Sequence, residues 1–128
     1  MNKYVLDASA LLALFNEEPG AEKVAQILPY SVMSMINASE VIAELANKLA
    51  ILPTEGRYMV DTCINELITF DLEQATEVAH LRKYTAHLGL SLGDRACISL
   101  GMRLKAPIYT ADKIWIKLGK EYPIVLIR

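Results

Sequence analysis

At 128 residues, 53% of them hydrophobic, with a formal net charge of −2, the chain is sized for one domain (1–128) that can bury a core without disulfides or structural metal. Neither the compositional signature of disorder nor the overall basicity of a simple nucleic-acid binder is present. The charge is nonetheless uneven: residues 1–81 hold four basic and 12 acidic side chains, and residues 82–128 hold nine basic and three acidic. That polarity is consistent with a basic rim beside an acidic centre, or simply with two differently solvated faces.

Cys63 and Cys97 lie far apart with no Cys-x-x-Cys or Cys-His spacing, so they read as free, mostly buried thiols in a reducing compartment. No charged segment followed by an apolar one opens the chain, and no apolar run approaches the ~18 residues needed to span a bilayer. A cytoplasmic location without membrane contact is the expectation.

In chain order, residues 3–9 read as a short buried strand that ends in Asp7 and turns into an apolar helix ending near Asn16. A turn over 17–20 leads to a helix over 21–28, broken by Pro29, and residues 31–34 form a second strand, parallel to the first because a helical crossover joins them. Asn37 has the position of an N-cap for a helix to about Leu52, with Ala38, Val41, Leu45, Leu49 and Leu52 on one stripe and Glu40 in the first turn off it.

The break at 53–56 precedes a helical segment over 57–65, a third strand over 67–71 and a helix from Glu73 to about Leu88 with Gly89 as its C-cap. Ser91 and Asp94 open the next helix, to about Leu104, and residues 107–110 form a fourth strand. A helix feeding a parallel strand runs antiparallel to it, which brings Asp94 to the sheet edge that carries Asp7. Asp112 starts a short helix through Lys117, and 123–127 is a last apolar strand. The alternation predicts a three-layer α/β/α sandwich around a mainly parallel sheet of four to five strands.

Four acids thus converge on the edge where open α/β sheets bind ligands: Asp7, Glu40, Asp94 and Asp112. Each has a structural explanation, since helix N-termini favour acids, and Asn37-x-x-Glu40 and Ser91-x-x-Asp94 have capping-box spacing. Taken alone, Glu40, Asp94 and Asp112 read as caps. Taken together, four converging anions repel and raise one another's pKa values unless a cation sits among them, and oxygen-only ligands select Mg²⁺ or Mn²⁺ over zinc. Such a site suits metal-assisted hydrolysis of a phosphodiester, with Ser9, Asn37, Ser91 and Thr110 as supporting polar groups or as caps.

Glu44, a turn beyond Glu40, has i,i+4 spacing to Lys48 and reads as half of an ordinary ion pair. His80 and His87 have no carboxylate or cysteine at ligand spacing and read as solvent-facing. Trp115, Tyr58 and Tyr84 read as core or interface residues rather than stacking platforms. Arg95, Lys113 and Lys117 are the expected phosphate contacts, and apolar surface over 37–65 is the expected partner surface.

The segments 4–9, 34–41, 90–97 and 109–112, in this order and spacing, resemble the PIN-domain family and within it the VapC-type toxin ribonucleases. The resemblance spans essentially the whole chain. It implies that Asp7, Glu40 and Asp94 are the three core metal-coordinating acids, that Asp112 is a more variable fourth, and that Ser9 and Thr110 are polar positions beside the site. It further implies Mg²⁺- or Mn²⁺-dependent endoribonuclease activity that inhibits translation, homodimerisation, and neutralisation by an antitoxin. A non-catalytic RNA-binding or assembly PIN domain is one alternative, and a phosphoacceptor signalling module, by analogy of fold, is another.

Overall fold

The structure, a computed structural model, describes residues 2–128. Five strands, β1 (Tyr4–Leu6), β2 (Ser31–Ser34), β3 (Glu66–Ile68), β4 (Ile108–Thr110) and β5 (Ile124–Leu126), pair in parallel in the order β3-β2-β1-β4-β5. The connections carry α1 (Ala8–Phe15), α2 (Ala21–Ile27), α3 (Met35–Leu49), α4 (Pro53–Cys63), α5 (Leu72–Thr85) and α6 (Leu92–Leu104). Among the described residues no helix is long and apolar enough to cross a membrane.

The central strands are apolar on both faces because both faces are covered. Successive side chains of a strand point opposite ways, so Leu6, Met33 and Tyr109 join one buried cluster with Leu11, Val41, Leu45 and Val60 of the α1 to α4 layer. Val5, Val32 and Ile108 join the other, with Cys97 and Ile98 of α6 and with Trp115. The result is the expected three-layer α/β/α sandwich.

From β1 the chain winds outward through β2 to β3, then returns across the opposite face through α5 and α6 to place β4 on the other side of β1. The point where the winding direction reverses lies between β1 and β4, and crevices at such points are the usual ligand sites of open α/β sheets. Asp7 and Thr110 stand at the two strand ends that flank it.

Several boundaries differ from the sequence reading for local reasons. Ser34 is the N-cap of α3, its hydroxyl accepting from the Ile36 N–H, so the helix starts before Asn37, and Asn37 is an interior residue rather than a cap. Pro53 opens α4 at its first turn instead of breaking the chain, as a residue lacking an N–H does at a helix start. Asp71 belongs to no strand: it caps α5 in a reciprocal box with Gln74. The segment after Asp112 is a 3-10 helix, Lys113–Leu118.

Candidate metal centre

Asp7 caps α1, Oδ1 accepting the Ala10 N–H at 2.9 Å. The Ser9 hydroxyl donates to its carboxylate at 2.7 and 2.9 Å, and the Thr110 hydroxyl donates to Oδ2 at 2.6 Å. Three protons therefore serve a carboxylate with about four lone-pair directions, leaving it one further bond to make. Each hydroxyl also accepts from the chain leaving β4: Ala111 N–H to Ser9 Oγ at 2.9 Å, and Asp112 N–H to Thr110 Oγ1 at 3.0 Å.

Only 5% exposed, Asp7 has its carboxyl pushed up to about 6. Burial is the main cause, the three hydrogen bonds oppose it, and the Asp94 charge adds to it. No lysine or arginine forms an ion pair with Asp7, Glu40, Asp94 or Asp112 among the described residues.

Glu40 lies half-buried on α3. Burial raises its pKa first, the Asp94 charge raises it further, and a hydrogen bond from Asn37 Nδ2 to Oε1 at 2.9 Å lowers it. The same Asn37 nitrogen donates to the Gly93 carbonyl of α6 at 3.0 Å, while Asn37 Oδ1, buried, has no partner. A Cβ built on Gly93 would lie 2.5 Å from the Glu40 carboxyl carbon. The Glu40 carboxylate thus occupies the space that any side chain at position 93 would fill.

Asp94 follows Gly93 and completes a reciprocal cap: its Oδ2 accepts the Ser91 N–H at 3.0 Å while the Ser91 hydroxyl accepts the Asp94 N–H at 3.2 Å. Cap and convergence are therefore compatible, because the box engages one carboxylate oxygen. Asp112 is likewise an N-cap through Oδ1, to the Ile114 N–H at 3.1 Å, and is exposed. Its link to Asp7 runs through Thr110.

The clustering of three acids shows on a fourth group. The buried Cys97 thiol is raised well above its ordinary pKa, chiefly by burial and then by the charges of Asp7, Asp94 and Glu40. The charges of Asp7, Asp94 and Glu40 thus act together on a thiol in the first half of α6, whereas Asp112 is not among them. Among the described residues no three acidic, histidine or cysteine side chains already form a finished ligand group. The donor chemistry still fits a hard divalent cation: all oxygen, with Asp7 buried, Glu40 and Asp94 half-buried, and no ion pair to balance any of them.

Other residues divide clearly. Glu44 pairs with Lys48 at 3.0 Å, and His80 and His87 are exposed. Arg95 does not reach out for phosphate: its Nη1 donates to the Val78 carbonyl of α5 at 3.0 Å, whereas Lys113 and Lys117 are exposed near Asp112. A cleft of about 300 Å³ opens beside Ser9 between α1 and α3, reaching Leu12, Asn16 and Glu44. Gly93 is the residue that sequence reasoning passed over. Its signal was a glycine within the first turn of a helix, a position where glycine is unfavourable unless something needs the space.

No curated protein matches the chain. Among solved structures, DNA-bound VapBC from Salmonella typhimurium aligns with a TM-score of 0.74 at 18% identity over 100% of both chains. A toxin-antitoxin complex from Klebsiella pneumoniae gives 0.74 at 17% over 98% of each. VapBC-5 from Mycobacterium tuberculosis gives 0.65 at 20%, over 100% of this chain and 99% of that one. At these identities the likeness is one of fold. The PIN domain family profile matches residues 4–121, and the chain accordingly belongs to the PIN domain family.

Proposed function

We propose that this chain is a Mg²⁺- or Mn²⁺-dependent endoribonuclease acting in the cytoplasm as the toxin of a toxin-antitoxin pair that inhibits translation. The observation that carries the reading is the electrostatic coupling of Asp94 to Asp7 and to Glu40, three acids from three elements, with Asp7 beside the point where the sheet reverses its winding and no cationic side chain paired with any of them. Asp7, Glu40 and Asp94 would hold the cation, with Asp112 next to Thr110 where the chain leaves β4. A bound divalent ion supplies a water of lowered pKa and neutralises charge developing on the phosphate.

The chain's own groups do the rest. Ser9 and Thr110 fix both oxygens of Asp7 and lock its carboxylate to the segment bearing Asp112. Lys113 sits beside Asp112 to meet the RNA backbone, so Lys113→Ala should weaken RNA binding and reduce the salt slope of log K by about 0.7, the increment for one single-strand phosphate contact. An unchanged slope in a filter-binding salt titration removes Lys113 from the interface.

The toxin-antitoxin complexes among the similar folds support a cognate antitoxin as partner. Exposed Met35, Leu49, Leu52 and Tyr58 on and between α3 and α4, with an apolar groove of about 440 Å³ lined by Met35, Ile42, Val60 and Leu67, support that face as the surface for antitoxin or for a second copy in a homodimer.

The deciding experiment incubates purified protein with a small-RNA pool and Mg²⁺ or Mn²⁺, beside a chelator control and Asp94→Asn. Discrete products are expected from the parent alone, with Asp94→Asn slower by at least on the order of 100-fold. Metal-binding protein that forms no product would instead support an RNA-binding PIN domain without catalysis. The mass of the same preparation in solution tests the homodimer.

A further inference from the structure

We propose that Asn37 and Gly93 are positioning residues that together form a seat for the Glu40 carboxylate, fixing it against the first turn of α6 next to Asp94. The inference rests on the metal-dependent reading above and adds how one of its acids is held.

Asn37 is 1% exposed, one turn before Glu40 on α3. Its amide faces a carboxylate oxygen at 2.9 Å and a carbonyl oxygen at 3.0 Å. Neither a carboxylate nor a carbonyl donates, so the nitrogen must be the atom turned toward them. One NH₂ group thereby ties Glu40 to the backbone of a helix 56 residues further along the chain. The tie leaves Asn37 Oδ1 buried without a partner, an arrangement unfavourable for stability by itself.

Gly93 supplies the other half. It lies inside α6, where alanine would favour the helix more, yet the place of its missing Cβ is taken by the Glu40 carboxylate. Two locally unfavourable choices, an under-bonded buried amide and a helical glycine, converge on one side chain. Since Gly93 directly precedes Asp94, the seat sets the spacing between two of the three clustered acids.

The test reads Mn²⁺ affinity of the full chain by calorimetry, without RNA. Asn37→Leu and Gly93→Ala are each expected to lower the affinity by about 10- to 100-fold, the usual effect of losing a group that orients a ligand. Both losses should largely disappear when Glu40 is already Gln, because each acts through that carboxylate. Gly93→Ala carries the test if Asn37→Leu does not fold, since alanine favours the helix and the flexible Glu40 side chain can swing away; a circular-dichroism melt checks that it is folded. Unchanged affinity in folded Gly93→Ala, or an undiminished loss in the Glu40→Gln background, overturns the seat. A parent that binds no Mn²⁺ overturns the metal-dependent reading and the seat with it, whereas a parent that binds and is indifferent to Gly93→Ala overturns the seat alone.

Discussion

Asp7→Asn is expected to melt higher than the parent at pH 7.5 in the absence of metal, while losing Mn²⁺ binding and RNA cleavage. The unfolded chain releases this proton near 3.8, whereas in the folded protein burial pushes the carboxyl up to about 6. The folded state therefore holds the proton more tightly, and the stability this gives is present below pH 3.8 and lost as pH rises through about 6. Above that pH the fold carries a buried anion that its hydrogen bonds only partly offset, at a cost of about 3 kcal/mol.

Asparagine keeps the shape and removes the charge. Its Oδ1 can still accept the Ala10 N–H and the Ser9 hydroxyl, and its Nδ2 can donate to Thr110 once that hydroxyl turns. Thermal melts in chelator should show the variant higher at pH 7.5 by on the order of 5 °C or more, the gap narrowing toward pH 4. Added Mn²⁺ should raise the melting point of the parent and not that of the variant, because only a ligand that binds the native state stabilises it. A parent and variant that melt alike at both pH values would show that Asp7 carries no burial strain. Cleavage should fall by about 1,000-fold, read as initial rate on a fixed RNA.

The second large effect is on stability. Trp115 is fully buried among Val5, Val32, Cys97, Ile98 and Ile108, and it anchors the 3-10 segment that begins just after Asp112. Trp115→Ala should cost about 3–5 kcal/mol, the usual range for emptying an aromatic site in a core. Trp115→Phe should cost less, since it fills most of the space and removes an indole N–H that has no partner. Urea midpoints followed by far-ultraviolet circular dichroism measure this, because the substitution deletes the chain's one tryptophan. An unchanged midpoint for Trp115→Ala would refute the anchoring role.

The alternation of strands and helices was legible because its signals are local. Short strand-length segments at 4–6, 31–34 and 108–110, the last two preceded by Pro29 and Pro107 and joined to the first by helical stretches, specify parallel strands, and parallel strands oblige the acids that follow them to share an edge. By such reasoning, together with the antiparallel run of the helix that Asp94 opens, the sequence reading puts Asp7, Glu40, Asp94 and Asp112 on one edge. Capping chemistry was legible too where donor and acceptor lie within one turn, as in Ser91 and Asp94.

Only the tertiary structure decided which distant groups meet. Thr110 reaches Asp7 because β4 pairs with β1, a neighbour relation that no spacing encodes. Asn37 illustrates the reason most plainly. Its sequence signature is that of a cap, but Ser34 starts the helix three residues earlier, and the amide is turned to Glu40 and to Gly93 across the α3 and α6 interface. A hydrogen bond within one turn is written in the order of neighbouring residues. One that spans 56 residues exists only after the helices have packed, and with it the place of the Glu40 carboxylate in the space left by Gly93.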